Sequence, residues 1–518
     1  MKDNSDLKYE GIENVELPPD FLFGVANSAF QAEGGFNRGD GPRNNFAEWE
    51  RIGKVEPSGD SVRFWDNYED HIKLAASLGL NAFRMGFSWS RVQPTISEWQ
   101  GPPPSWDEKA LDRYAKIVEM IINTGMEPII TLHHFTHPAW LPKDFWLNDD
   151  MVHLFVDYTV RAVGEINLRL IRAGKKPINF IITFNEPNIL PLNSYMIGEL
   201  PHGKRGFAAA KKAWDNLLYT HILVYDALYD IYEREGWGRP FVGFNTFCFS
   251  IYEFDKICYD LIRAPSLGVG KAELKEYFHA RRADFNQRFM QMAAHRWGQY
   301  SNQTLYYRNY RGVCSWLFEP GLFKRTVEAL YASPRKKKLD YLALDIYDPF
   351  VAGGFYFRFP TPQRLKNFEP IFRPPWWEWY HDPFLFGEMI KVHNHRNDTS
   401  LPIYVMENGI GYRQKKFGMA SPRRDGLTKD KYLRWSIGET MKALRESVPV
   451  KGYIYWTLVD NYEWGSYEVR LGLHDYDHIA GKIKDTDGLG LPAGKVYAEI
   501  VNALRKGENE RIRKVFAL

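Results

Sequence analysis

The chain has 518 residues, 44% of them hydrophobic and 25% charged, which is the profile of an ordinary globular protein and excludes a disordered or fibrous one. Its 67 basic and 64 acidic residues are spread along the sequence, and the formal charge of +3 excludes the basic footprint of a nucleic-acid binder. No stretch reaches the roughly 18 consecutive apolar residues that span a bilayer.

The first 21 residues are too charged for the apolar core of a signal peptide. Three cysteines, Cys248, Cys258 and Cys314, cannot pair completely and lack CxxC spacing, so buried reduced thiols are expected. A soluble, cytoplasmic protein without a membrane partner is the expectation. One compact basic run, 334–338, reads as a solvated loop.

Eight short apolar runs follow one another along the chain: 21–30, 81–89, 127–135, 178–187, 240–247, 339–348, 402–409 and 451–460. Their hydrophobicity is continuous, not alternating, as in parallel strands covered on both faces. Helical patterns lie between them. In 107–128, Leu111, Tyr114, Ile117, Val118, Ile121 and Ile122 recur at helical spacing, with Asp107 as the cap and Gly125 as the stop. The stretches 66–83 and 428–446 repeat the arrangement. This predicts a single (β/α)8 TIM barrel filling residues 1–518, with its core at about 21–505. Such barrels average about 250 residues, so long loop insertions are expected, at 36–65, 188–240 and 350–400. A doubly wound sheet is the competing fold, but no GxGxxG follows the first strand.

Barrel chemistry sits at the C-terminal strand ends. Those ends read Gln31, Arg84, His134, Asn185-Glu186, Tyr347, Glu407-Asn408 and Trp456. The fourth and seventh runs each end in a glutamate followed by a turn, which makes Glu407 the partner of Glu186 across the mouth. Paired carboxylates suit glycoside hydrolysis, where one protonates the leaving oxygen and the other attacks the anomeric carbon or activates water. The acid needs a raised pKa, and the nucleophile needs a cation or donors to stay ionised. Arg84 supplies the cation and Tyr347 a phenol donor. A lone strand-end glutamate serves as well to hold a loop, but two within one polar ring favour chemistry.

Beyond this point the motifs are specific. Thr183-Phe-Asn-Glu-Pro187 and Met406-Glu-Asn-Gly409 resemble the acid/base and nucleophile motifs of glycoside hydrolase family 1, the retaining β-glycosidases. Segments 27–34, 83–94, 131–141, 194–203 and 456–473 resemble its other motifs in order. The resemblance implies Glu186 as general acid/base, Glu407 as nucleophile and Asn185 on the sugar 2-hydroxyl, with Arg84 and Tyr347 holding Glu407. It further implies Gln31, His134, Glu463 and Trp464 on the remaining hydroxyls and Trp456 as an apolar floor. Carboxyls of a retaining pair lie about 5 to 5.5 Å apart.

Three positions depart from the family pattern. Asp345-Ile346-Tyr347 replaces Asn-Tyr-Tyr, bringing an extra acid expected to alter the pKa of Glu407. Met406 replaces Thr, and Phe135 stands where many members have Trp. The expected activity is a retaining exo-β-glycosidase of β-glucosidase type acting on β-glycosides or oligosaccharides, with galactosidase or fucosidase activity open. No cofactor and no metal are expected, and the oligomeric state is open. His133, His134 and His137 read as one sugar ligand and two packing or surface histidines. The alternatives are a 6-phospho-β-glycosidase, which Glu463 disfavours, and a catalytically silent sugar-binding barrel. One of Trp376, Trp377 and Trp379, in the 372–384 run, is expected to line the aglycone side.

Overall fold

The structure is a computed structural model. It describes residues 9, 11–95, 101–317, 320–347, 349, 351, 375–394, 401–414 and 418–517. Eight strands close into a parallel barrel in chain order: β1 (Leu22–Ala26), β2 (Ala82–Gly86), β3 (Glu127–Thr131), β4 (Phe180–Asn185), β5 (Phe241–Phe247), β6 (Leu342–Asp345), β7 (Ile403–Glu407) and β8 (Val450–Trp456). β8 returns to pair with β1, Leu22 opposite Gly452 and Ala26 opposite Trp456.

The strands are mostly apolar because both faces are covered, and every residue of β2, β4, β6 and β7 is buried, Arg84, Asn185, Asp345 and Glu407 included. All eight predicted runs contain a strand, and each strand is shorter than its run. After β1 and β2 the chain turns at once into short helices, Ala29–Ala32 and Trp89–Val92, and these carry the residues that follow the strand ends. In the ring, β4 and β7 stand three steps apart and are not diametrically opposed.

The helices follow their sequence signals. Glu108–Asn123 starts on Asp107, whose carboxylate accepts from the backbone N–H of Lys109 at 2.9 Å and of Ala110 at 3.0 Å. It stops before Gly125, which takes φ 80°, a left-handed conformation open to glycine at no steric cost. Leu111, Tyr114, Ile117, Val118 and Ile121 are fully buried on its inner face, and Ile122 only partly.

Internal contacts divide the chain into two compact units. Met1–Leu141, Ala162–Ile182 and Pro402–Leu518 make one, carrying β1 to β3, the start of β4, β7 and β8. Pro142–Arg161 and Thr183–Leu401 make the other, carrying the end of β4, β5 and β6. One of the breaks between them falls inside β4 and another inside the helix His153–Arg172.

Of the expected insertions, 36–65 is a long excursion that leads into the helix Phe64–Ser77 and otherwise holds only the short helix Ala47–Arg51. Residues 188–240 are mostly the long helix Phe207–Glu235, an ordinary helix of the repeat. Most of 350–400 lies outside the described residues. The long addition the sequence reading passed over is between β5 and β6, where Tyr252–Asp255, Ile257–Arg263, Leu274–Trp297, Asn302–Leu317 and Lys324–Ala332 are helical. Because these segments are helical, their pattern blends with the repeat. The basic run 334–338 is also less solvated than expected: Lys338 is buried and bonds Asp226 and Ser333.

Charged residues pin this helical addition. Asp260 is fully buried and accepts from Lys256 Nζ at 2.8 Å, Arg281 Nη2 at 2.9 Å and Tyr252 Oη at 2.9 Å. Burial raises its carboxyl, but the charges and hydrogen bonds of Lys256 and Arg281 outweigh that and hold it below the usual carboxylate range. Replacing Asp260 by Ala removes the carboxylate that Lys256 pairs with. It should destabilise the protein by about 3–5 kcal/mol in urea unfolding, and a loss below about 1 kcal/mol would show that the network does not hold the addition in place.

Candidate active site

In the first unit the site is built around Arg84. It lies on β2, is fully buried, and points its Nη1 at Glu407 Oε1, 2.5 Å away at the end of β7. Its Nε donates to Thr131 Oγ1 on β3 at 3.0 Å, and Nη1 also lies 3.5 Å from the Met406 carbonyl. A guanidinium keeps its proton at all working pH values, so Glu407 is held beside a permanent cation.

The turn after Glu407 is equally fixed. Asn408 donates to Tyr432 Oη at 2.5 Å and accepts from Tyr453 Oη at 2.7 Å, and its carbonyl accepts from the N–H of Trp456 at 3.1 Å. A Cβ on Gly409 would come within 2.2 Å of the Trp456 carbonyl oxygen, so only glycine fits this position.

Glu463 anchors the other side of this half. One of its oxygens accepts from Gln31 Nε2 at 2.8 Å and the other from the Trp456 indole N–H at 3.1 Å. Gln31 in turn accepts from Ser28 Oγ at 2.7 Å. Burial pushes the Glu463 carboxyl up to about 8; the Glu407 charge adds to the rise, and the bonds from Trp456 and Gln31 oppose it. His134, just past β3, stacks on Trp456 at 5.4 Å and on Trp464 at 5.5 Å between ring centroids. Burial, then Arg84 and His133, hold it well below the ordinary histidine range, so it is a neutral imidazole. Phe135 packs edge-on to Trp464 at 5.0 Å. His133 and His137 are also buried and depressed by burial; neither is a surface histidine.

The second unit carries Asn185, Glu186, Asp345 and Tyr347. Glu186 follows the last residue of β4 with φ 44°, a left-handed backbone rare for a residue with a Cβ. The loop beyond it is tied down by Asn188, whose Nδ2 donates to the carbonyls of Phe247 at 2.8 Å and Phe254 at 3.0 Å. Asn185 Oδ1 accepts from Asn245 Nδ2 at 2.7 Å, and the same nitrogen donates to Asp345 Oδ2. Glu186 and Asp345, both buried, bring carboxylate oxygens within 4.8 Å of each other. Tyr347 stacks on Phe247 at 5.7 Å and meets Trp379 edge-on at 5.8 Å. Trp379 is thus packed against the aromatic rings beside the strand ends, with Trp376 stacked on it at 5.1 Å.

The first unit therefore gathers Gln31, Arg84, His134, Glu407, Trp456, Glu463 and Trp464, and the second gathers Asn185, Glu186 and Tyr347. Asn245 and Thr131 were not anticipated. Asn245 left a signal, a carboxamide in the middle of an otherwise apolar strand; Thr131 is ordinary strand composition.

Residues 13–502 match the family model described as glycosyl hydrolase family 1. The chain belongs to that family, whose members are retaining β-glycosidases. A 6-phospho-beta-galactosidase of Staphylococcus aureus (strain COL) is 26% identical over 486 residues, covering 89% of this chain and 94% of the relative. Beta-glucosidase 25 of Oryza sativa subsp. japonica is 25% identical over 495 residues, covering 90% and 91%. Among solved structures, the β-glycosidase from Pyrococcus horikoshii has a TM-score of 0.64 at 21% identity, covering 97% of this chain and 98% of that one. The family 1 β-glucosidase from Thermotoga maritima in complex with isofagomine lactam has a TM-score of 0.66 at 21% identity, covering 94% and 99%. These two show the shared fold.

The raised Glu463 carboxyl has a measurable signature. From the unfolded value of about 4.3 up to about 8, the native state holds a proton that the unfolded chain has released. Stability should therefore fall as pH rises through that window, by at most about 1.4 kcal/mol per pH unit. Urea unfolding of wild type and Glu463→Gln from pH 5 to 8 should show wild type losing ground steadily. A pH-independent difference would mean that Glu463 is ionised throughout.

Proposed function

We propose that this chain is a retaining exo-β-glycosidase of β-glucosidase type, with Glu407 as nucleophile and Glu186 as acid/base. The observation that carries the reading is the buried Arg84–Glu407 pair, which supports an ionised carboxylate at the end of a barrel strand. Glu407 attacks the anomeric carbon while the protonated Glu186 gives its proton to the departing aglycone oxygen. Water then enters with Glu186 as base, the glycosyl–enzyme bond breaks, and the β configuration is retained.

Asn185 meets the sugar 2-hydroxyl in this reading, and Tyr347 supports Glu407. Gln31, His134, Glu463 and Trp464 take the other hydroxyls, and the Trp456 ring faces the apolar side of the sugar. The names of the curated relatives do not choose between an unmodified and a 6-phosphorylated sugar, being almost equally distant. The side chains bonded to Glu463 are Gln31 and Trp456, neither a cation, which favours a neutral sugar.

The test is turnover of p-nitrophenyl β-D-glucoside, β-D-galactoside and their 6-phosphates by wild type and Glu407→Gly. Wild type should cleave a neutral glycoside, and the variant should lose at least about 10³-fold in rate. Azide added to the variant should yield the α-glycosyl azide. Faster wild-type cleavage of a 6-phosphate would overturn the substrate assignment. Binding of sugar without any turnover would point instead to a silent sugar-binding barrel.

A further inference from the structure

The unit holding β5 and β6 contains a polar relay whose middle member, Asn245, has no part in the proposed mechanism. Asn245 is fully buried in the middle of β5, and β5 runs parallel to β6 with Phe247 opposite Asp345. Its Nδ2 donates both to Asn185 Oδ1 and to Asp345 Oδ2. Its Oδ1 is buried and accepts no hydrogen bond from the described residues.

A buried amide oxygen without a donor is unfavourable, so something must hold the amide in this orientation. Asp345 supplies the reason. An ionised carboxylate only accepts, and turning the Asn245 amide over would set oxygen against oxygen. Both hydrogens of Nδ2 are therefore committed, one to Asp345 and one to Asn185. Asn185 must meet that hydrogen with its own oxygen, so the end of its amide directed away from Asn245 is Nδ2, a donor.

We propose that Asp345, acting through Asn245, is a positioning residue that fixes Asn185 with its amide N–H toward the sugar. The site then reads a hydrogen-bond-accepting oxygen at the 2-position of the glycoside and discriminates against 2-deoxy and 2-ammonium sugars. This rests on the glycosidase reading, in which Asn185 meets that position. The relay is one of orientation and not of charge, so an amide at position 345 that accepts through its oxygen sustains it.

The experiment measures kcat/KM for p-nitrophenyl β-D-glucoside and its 2-deoxy analogue with wild type, D345A, D345N and N185A. Wild type should favour the 2-hydroxy substrate by about tenfold or more. D345A should lose about tenfold on that substrate and less than about threefold on the 2-deoxy analogue, approaching the ratio of N185A. D345N should keep the wild-type ratio. If D345A fails to fold, N245A, which breaks the relay and keeps the carboxylate, carries the same expectation. Equal losses on both substrates would overturn the relay and leave the glycosidase reading standing. No wild-type turnover of either substrate would overturn both.

Discussion

The pairing of Arg84 with Glu407 sets the conditions for everything around it. Neither group is tolerable alone at that depth, since removing a charge from water costs several kcal/mol unless a partner and hydrogen bonds replace the solvent. Three strands supply them: β2 carries the guanidinium, its neighbour β3 offers Thr131, and β7 delivers the carboxylate. The guanidinium cannot give up its proton, so its field is permanent. That field helps keep His134 neutral and able to accept as well as donate. The Glu407 charge it sustains adds to burial in pushing Glu463 up to about 8. Protonation states across this half of the site thus follow first from burial, with the Arg84–Glu407 charges adding to it in the same direction at both groups.

Around the charges, neutral groups fix direction. An indole only donates, so Trp456 settles which Glu463 oxygen accepts from it. Gln31 divides its amide, giving Nε2 to Glu463 and its oxygen to Ser28. On the second unit the acceptor-only group is Asp345; Asn245 gives its Nδ2 to both Asp345 and Asn185, and Asn185 accepts through Oδ1. A sugar presents hydroxyls that donate and accept alike, so selectivity demands that the protein's own amides hold one orientation. One-way groups impose it, the Trp456 indole in the first unit and the Asp345 carboxylate in the second.

Much of this was legible in the sequence because it rests on local pattern. Continuous apolar runs marked all eight strands, and polar residues at or near the ends of seven of them marked the candidate site, with Arg84 standing inside β2 where Glu407 and Thr131 meet its charge and its donors. Asp107 and Gly125 delimited their helix for reasons of capping and left-handed backbone that need no tertiary context. What escaped was set by tertiary packing. The helices between β5 and β6 carry the period of any barrel helix. Lys338 looks solvated in a basic run, yet Asp226 on a distant helix buries it. Asn245 reads as a stray polar residue until Asn185 and Asp345 are seen on either side of it.

The backbone shows where side-chain chemistry outranked conformational ease. Phe135, Glu186 and Trp464 take φ values of 64°, 44° and 42°, where a Cβ costs about 1–2 kcal/mol and glycine costs nothing sterically. Each follows a strand of the barrel, and each carries a ring or a carboxylate at the site. Glycine at any of the three would relax the backbone and delete the group. At 409 the opposite choice was made: the chain passes so close to the Trp456 carbonyl that no Cβ fits, and no side chain is present. Left-handed backbone at a residue with a Cβ is a cost that the surroundings must offset, and it recurs away from these three, at Arg63 with φ 55° for one. At Glu186 that cost falls on the residue whose carboxylate the proposed mechanism needs, so the backbone fits the role without by itself singling the residue out, Ser61 and Ser250 being buried, polar and left-handed as well.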